Sequence, residues 1–197
     1  THFDQQGEAL PIEHHSSASI GMKLFQGTQI NTDDLLKQAD MAMYQAKQAG
    51  RNTLCIFDPE MQSRLNRRAS LEVDMRLAMR NNQFHLHYQV QIDQQDHAIG
   101  AEVLLRWQHP LRGNVPPAEF IPLAEESGLI GALGLWVLNE SCKTLAAWAE
   151  RPETRHLTLA VNVSTKQFCR DNFVGQIKAI LDKTRINPQR LKLDITE

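Results

Sequence analysis

Three oxygen-bearing side chains lie in or directly after short apolar runs that are typical of β-strands. Glu102 falls inside its run, whereas Asn162 and Glu197 fall at the ends of theirs. In a barrel of parallel strands the carboxyl ends meet on one face, where active sites are built. Carboxylate and amide oxygens are the ligands that Mg²⁺ and Mn²⁺ prefer. These residue types favour a divalent metal site. The spacing alone leaves a purely structural role open, since any such barrel has acids near its strand ends.

The composition gives no support for a nucleic-acid polymer or a membrane as partner. The chain has 197 residues, a net charge of −2, and 21 Lys and Arg residues that are scattered rather than gathered on one face. Binding to nucleic acid or to a membrane surface usually needs such a basic face. No apolar run approaches the roughly 18–20 residues of a membrane span, and no signal segment opens the chain.

The three cysteines favour a reducing compartment. Cys55, Cys142 and Cys169 are odd in number and form no CxxC pair. We therefore expect reduced, mostly buried thiols in a cytoplasmic protein rather than a disulfide framework.

Residues 1–57 have the pattern of a small α/β piece. Strands are expected over 19–25 and 52–57, with a helix between them that Thr32 or Asp33 caps and Gly50 ends. The predicted apolar face of this helix consists of Leu35, Leu36, Ala39, Met43 and Ala46. One helix and two or three strands bury little core alone. We therefore interpret this segment as the C-terminal part of a larger α/β domain.

Residues 58–80 are predicted to form a helical connector. Asp58 supplies a capping oxygen and Pro59 occupies the first turn. The interspersed acids Glu60, Glu72 and Asp74 argue against a basic helix that would bind DNA.

Residues 81–197 alternate between strand and helix patterns. A hairpin near Asp96 is expected to join the first two strands. Strands are predicted over 84–92, 99–107, 157–163 and 191–195, and helices over 116–126, 129–149 and within 165–184. Such alternation implies parallel βαβ units. An opening hairpin followed by β-α-β-α-β fits the first half of a modified, TIM-like (β/α) barrel.

Two groups of motifs resemble known families. The downstream motifs are YQVQ at 88–91, EVLLRW at 102–107, PAEFIPLAE at 117–125, NVS at 162–164 and LDITE at 193–197. In this order they resemble the EAL domain of cyclic di-GMP phosphodiesterases. The upstream motifs SIG at 19–21, ADMAMYQAK at 39–47 and GRN at 50–52 resemble the C-terminal part of a GGDEF domain. Together they resemble a tandem GGDEF–EAL signalling protein of bacteria.

The resemblance implies a reaction and a set of site residues. The reaction is the metal-dependent hydrolysis of cyclic di-GMP to pGpG, with Mg²⁺ or Mn²⁺ as cofactor. The residues that match metal ligands and catalytic positions are Glu102, Asn162 and Glu197, and those that match dinucleotide contacts are Gln89, Leu104 and Arg106. A guanidinium such as that of Arg106 suits a phosphate, because the two can pair through two hydrogen bonds.

The upstream resemblance implies a weaker site. Lys47 and Arg51 match residues that hold nucleotide phosphates in active cyclases. We prefer to interpret them as a solvated helix end, because the GGDEF signature and its metal-binding strand are missing from the sequence. Val103 for the middle alanine of the EAL motif, and Val90 for the usual proline, are mild departures. The family's paired aspartates, catalytic lysine and later glutamate are also missing, so we expect a piece of a longer protein, whose upstream part would carry any membrane or sensor domain.

Two other functions stay open at this level. An EAL domain can be a receptor that binds cyclic di-GMP without turnover, as some members of the family do. The fragment can also be an interaction module, in which the 58–80 helix mediates a homodimer through Met61 and Leu65. EAL domains are often dimeric, so the resemblance favours a homodimer.

Overall fold

A computed structural model describes residues 17–27 and 31–196. The chain divides into two compact units, residues 1–67 and 68–197. In the first unit and the boundary helix, the elements are β1 Ile20–Met22, α1 Thr32–Gln48, β2 Leu54–Ile56 and α2 Pro59–Ala78. The elements that follow are β3 Phe84–Ile92, β4 Ala98–His109, β5 Gly113–Val115, α3 Pro117–Glu126, α4 Ile130–Ala149, β6 Thr158–Ser164, α5 Thr165–Phe168, α6 Phe173–Thr184 and β7 Leu191–Thr196, with a short 3-10 helix at Pro188–Arg190.

The first unit is built from β1, β2 and α1. The two strands pair in parallel, as the helical crossover between them requires. The predicted cap was wrong by one position, since the side chain of Asn31, rather than Thr32 or Asp33, accepts the hydrogen bond from the Asp33 N–H, at 3.2 Å. Asn31 has extended backbone angles, which an N-cap residue needs, whereas Thr32 already lies inside the helix.

The packing of α1 on β1 depends on Gly21. A Cβ added to this glycine would come within 2.1 Å of backbone atoms of Ala39 and Met43, so the strand and helix backbones are in direct contact. Ala42 and Ala46 are fully buried. The prediction that Leu36 is also buried was wrong, because it is 64% exposed. In the described residues, strands of three residues are too short to cover the whole apolar face of α1.

Helix α2 begins as predicted. The Glu60 N–H donates to Oδ1 of Asp58 at 3.0 Å, and Pro59 occupies the first turn. The second half of α2 belongs to the second unit, where Leu71 and Met75 are buried.

The second unit is organised by one sheet in the order β3-β4-β6-β7. Strands β3 and β4 form the predicted antiparallel hairpin, with Gln89 opposite Glu102. Strands β4, β6 and β7 are parallel, with Glu102 opposite Ala160 and Asn162 opposite Asp194. Helices connect the parallel strands, so the predicted opening of a (β/α) barrel is confirmed.

Side chains point alternately to the two sides of each strand, so the two faces of this sheet carry different residues. On the helix side, the apolar side chains of β4 and β6 pack into a core with α4 and α6. Its buried members are Ala101, Val103, Val137, Leu138, Leu145, Leu159, Val161, Val163 and Phe173. Because side chains of a strand alternate, the opposite face carries Glu102, Leu104 and Arg106 of β4 and Asn162 of β6.

Two elements differ from the sequence prediction. Strand β5 pairs with the end of β4, with Trp107 opposite Val115, although its three residues resemble a turn in the sequence. Gly113 has a φ of +70°, which glycine adopts without strain. The predicted segment 165–184 also splits into α5 and α6.

The cysteine prediction was partly wrong. All three cysteines are free, and Cys142 is buried, but Cys169 is exposed. Cys169 is the residue directly after the short helix α5 and lies at the surface. Burial raises the pKa of the Cys142 thiol from its ordinary value of 9.0 to about 11, against a smaller, opposite effect of its hydrogen bond with Thr184.

Candidate functional site

The structure brings Glu102 and Asn162 into direct contact. Nδ2 of Asn162 donates a hydrogen bond to Oε1 of Glu102 at 2.7 Å. Neighbouring parallel strands hold the two residues on the same face of the sheet. Glu102 is half-buried and Asn162 is exposed. A carboxylate and an amide are thus adjacent and open to a ligand, on the sheet face away from the helices.

Other predicted contacts share this face. Leu104 and Arg106 follow Glu102 at intervals of two along β4, so all three point to the same side. Gln89 lies opposite Glu102 on the neighbouring strand and is exposed. Arg106 is half-buried, and its Nη1 donates to the Leu105 carbonyl at 2.9 Å, which leaves other guanidinium N–H groups for a ligand.

The third predicted ligand, Glu197, lies outside the described residues. Its neighbour Thr196 pairs with Ser164 at the carboxyl ends of β7 and β6. The Thr165 hydroxyl donates to the Thr196 carbonyl at 3.3 Å, which fixes the end of β7. Across the described ranges 17–27 and 31–196, no three His, Cys, Asp or Glu side chains converge on one point.

A pocket of about 410 Å³ is lined by residues of β4, β6 and β7 and of helices α3 to α5, and Asn162 is the member of the pair that lines it. Its polar lining residues include Arg106, Asn162, Ser164 and Gln167. Its apolar lining residues include Leu104, Pro117, Ile121, Ile130, Leu133 and Val137. With the two charged residues Arg106 and Glu125 also in its lining, the pocket combines a few polar groups with mainly apolar walls, as is typical of sites for small organic ligands.

Sequence reasoning did not identify Gln167. Its backbone N–H donates to the hydroxyl of Ser164, the N-cap of α5, at 3.3 Å. The spacing Ser-x-x-Gln is the signature of a capping box, and this signal could have located the start of α5. It could not have shown that the Gln167 side chain is 2% exposed and lines the pocket.

Lys47 and Arg51 lie in the first unit, at the end of α1. Lys47 is in the last turn of the helix and is exposed. Arg51 comes after the helix, is exposed, and has a φ of +63°. The two residues thus belong to different local structures, and their role stays a prediction.

No helix in residues 17–27 and 31–196 combines the length and the apolar character needed to cross a membrane.

Comparison with known proteins agrees with both resemblances. The family model described as EAL domain matches residues 72–197, and the model described as diguanylate cyclase, GGDEF domain, matches residues 2–53. MucR of Pseudomonas aeruginosa, named a bifunctional diguanylate cyclase/cyclic di-GMP phosphodiesterase, is 38% identical over 92% of this chain and 26% of its own length. PdeR of Escherichia coli, named a cyclic di-GMP phosphodiesterase, is 36% identical over 94% of this chain and 28% of its own length.

The fold also matches a solved structure. The PaMucR phosphodiesterase, in complex with c-di-GMP, superposes with a TM-score of 0.62 at 37% identity, over 65% of this chain and 52% of that one. The chain spans about a quarter of the length of the curated relatives it matches. A GGDEF fragment is followed by a TIM-like EAL barrel segment that covers more than half of the sequence, and the chain belongs to the EAL domain family.

Proposed function

We propose that this chain is part of a cyclic di-GMP phosphodiesterase that hydrolyses one phosphodiester bond of its substrate to give pGpG. The observation that carries the proposal is the contact between Glu102 and Asn162 at the face where an EAL domain would hold its ligand. The relatives MucR and PdeR, both named as phosphodiesterases of this dinucleotide, support it. The reaction belongs to the whole protein, of which these residues supply the first ligands.

The donor set fits Mg²⁺ or Mn²⁺. The Glu102 carboxylate offers hard oxygen atoms, and Asn162 offers its Oδ1 once the amide turns, because Nδ2 is a donor and cannot coordinate a cation. The two residues already lie within 2.7 Å of each other, and both are accessible. We propose Glu197 as the third ligand. A divalent ion held there would stabilise the negative charge that develops on the phosphoryl oxygens.

The remaining residues would bind and orient the dinucleotide. Arg106 would pair with a phosphate, because it lines the pocket and a guanidinium has five N–H donors, of which Nη1 donates to the Leu105 carbonyl. Leu104 would provide apolar contact in the same pocket, and Gln89 would contact the ligand from the neighbouring strand. Holding the phosphodiester at a fixed position relative to Glu102 accounts for much of the catalysis expected of such a site.

The test is turnover by the protein at its natural full length. We expect pGpG, detected by chromatography, in the presence of Mg²⁺ or Mn²⁺. Glu102→Gln should lower kcat by more than about a hundredfold, since even outer-shell partners of a metal change activity by up to that factor. Glu153→Gln, at an exposed acid in the loop before β6, is the matched control and should leave the rate unchanged.

The same assay separates an enzyme from a receptor. Binding of cyclic di-GMP by the wild-type protein, without any pGpG, would reject the enzyme and favour a receptor. Neither binding nor turnover would reject both functions and leave an interaction module.

Three further proposals concern the whole protein. We propose the domain bounds 1–57, 58–80 and 81–197, a homodimer, and a cytoplasmic location. Met61 is buried, so a dimer mediated by α2 would depend more on Leu65, which is half-buried. Light scattering on Leu65→Ala and wild-type protein at equal concentration would test this contact, and a monomer in both cases would reject it.

A further inference from the structure

The side chain of Gln167 has an unusual environment. It is 2% exposed, and within the described ranges its Nε2 has no hydrogen-bond partner. Leaving a buried donor without a partner usually destabilises a protein by about 1–3 kcal/mol. The residue nevertheless lines the pocket beside Arg106 and Asn162. An unsatisfied amide in this position calls for a partner that enters the pocket.

The fold makes room for this amide through Gly134 of α4. A Cβ added to Gly134 would meet Oε1, Nε2 and Cδ of Gln167 at 2.2 to 2.4 Å. The amide therefore lies flat against the helix backbone, where any larger residue would displace it. Glycine inside a helix destabilises it by about 1 kcal/mol relative to alanine. The close approach of Gln167 gives a physical reason for glycine at this position.

We propose that Gln167 is a specificity-determining residue that recognises a purine base of the bound dinucleotide through its side-chain amide. This inference rests on the proposed function and deepens it. The side-chain amide of Gln167 carries a donor, Nε2, and an acceptor, Oε1, side by side. The edge of a purine base offers the complementary pair of groups.

The surroundings of the amide favour a base over a phosphate. The pocket walls near Gln167 include Ile130, Leu133 and Val137, which suit an uncharged planar ring. Gln167 carries no charge, whereas a phosphate is best held by a cation such as Arg106 in the same pocket. The two residues thus divide the dinucleotide between them, with the base at Gln167 and the phosphate at Arg106.

The experiment measures cyclic di-GMP binding to the full-length protein by calorimetry, in EDTA so that no turnover alters the ligand. Gln167→Met keeps the length of the side chain but removes both polar atoms, and Gly134→Ala displaces the amide without changing it. We expect each of these two variants to bind cyclic di-GMP about tenfold more weakly than the wild type does. Since neither variant changes a charge, the factor should be the same at about 0.05 M and about 0.5 M NaCl. The loss caused by Arg106→Ala should shrink at high salt, because it removes an ionic contact. Gln189→Ala, at an exposed glutamine, should bind as the wild type does.

A second probe distinguishes recognition of the base from packing. The wild type should prefer cyclic di-GMP to cyclic di-UMP, whose backbone is the same, and Gln167→Met should lose most of this preference. Each variant is measured at a temperature at which circular dichroism shows it folded. An unchanged affinity, or an unchanged preference, in Gln167→Met would overturn the inference alone. A wild-type protein that binds no cyclic di-GMP would overturn the proposed function together with it.

Discussion

Both units of the chain contain strands rich in apolar residues, but these residues are buried to different degrees in the two units. In the first unit the apolar strand residues remain exposed to solvent, with Ile20 49% and Leu54 48% exposed. In the second unit the apolar residues of the central strand β6 are buried, with Leu159 0% and Val161 1% exposed. Helices α4 and α6 pack on the second sheet, whereas the first unit has a two-stranded sheet and α1 in its described residues.

This difference shows that alternation in a sequence specifies a strand but not its burial. A two-stranded sheet is only marginally stable by itself, and in the described residues Ile20 and Leu54 remain about half exposed although α1 packs on the strands. The site residues Glu102 and Asn162 lie on strands whose other face is anchored in a core, and this anchoring fixes their positions. Lys47 and Arg51 are both exposed at the end of α1, in the part of the first unit that residues 17–27 and 31–67 describe.

The largest expected effect comes from the centre of the second unit. Trp107 is fully buried, with its ring centroid 5.4 Å from that of Phe84 and 5.7 Å from that of Phe120. Trp107→Ala should lower the free energy of unfolding by about 4 kcal/mol, because it leaves a large cavity. Urea unfolding followed by the fluorescence of Trp136 and Trp148, which both belong to the second unit, measures this loss.

Phe25→Ala is the matched control in the first unit. Phe25 is 56% exposed, so its removal should change stability by no more than about 0.5 kcal/mol. Equal losses in the two variants would show that the first unit is covered in solution as fully as the second.

The next effect concerns metal binding. Mn²⁺ at about 100 times its Kd should stabilise the second unit by about 2.7 kcal/mol, since an ion that binds only the folded state shifts the unfolding equilibrium. Thermal unfolding with and without Mn²⁺ measures the shift. Glu102→Gln should abolish it, and Glu153→Gln should retain it. A shift that persists in Glu102→Gln would place the ion elsewhere.

A smaller effect is expected from a polar network that joins α2 to the β4–β5 hairpin. Asp74 Oδ2 lies 3.4 Å from Nε2 of His109 and 3.3 Å from Nη2 of Arg112, and His109 is 6% exposed. Asp74→Ala should destabilise the second unit by about 2 kcal/mol, because it leaves the buried His109 without this partner, whereas the exposed Arg112 keeps its hydrogen bond to Ser70. Urea unfolding measures the change.

The counterpart in the first unit is the pair of Arg64 and Glu60, 3.7 Å apart and largely exposed. Arg64→Ala should change stability by less than about 0.5 kcal/mol, as exposed ion pairs usually do. A loss as large as that of Asp74→Ala would contradict the proposed contrast between buried and exposed charges.

Much of the fold can be predicted from the sequence, because residues close together in the chain determine where most helices and strands begin and end. Strand β3 covers the predicted range 84–92, and α3 and α4 agree with prediction to within one residue, since their apolar periods are long and their boundaries are marked by proline or by turn residues. Strand β5 was missed because pairing with β4, and not local pattern, makes three residues extended. Leu36 fits the helical period but lacks a partner surface among the described residues.

The candidate site was predictable to a similar extent. The sequence placed Glu102 and Asn162 in neighbouring parallel strands of one barrel, and in the structure the two side chains are hydrogen-bonded, while their role as ligands stays a prediction. The role of Gln167 could not be predicted, because it depends on a glycine 33 positions earlier in another helix, Gly134, and on a pocket formed by several elements. Local sequence carries no signal for such a pairing, which only the tertiary fold creates.

The last expected effect appears only at alkaline pH and concerns Cys142, a fully buried thiol with a pKa raised to about 11 by burial. The folded protein holds this proton more tightly than the unfolded chain does. Its contribution to stability is therefore complete below pH 9.0 and is lost as the pH rises towards about 11. Urea unfolding across this range should show a steeper decline in the wild type than in Cys142→Ala. Cys169→Ala, at an exposed position, is the control and should follow the wild type. If the free energy of unfolding declined equally in all three proteins, the Cys142 thiol would be as accessible in the folded protein as in the unfolded chain. That result would contradict the burial of this thiol and weaken the contrast between the two units.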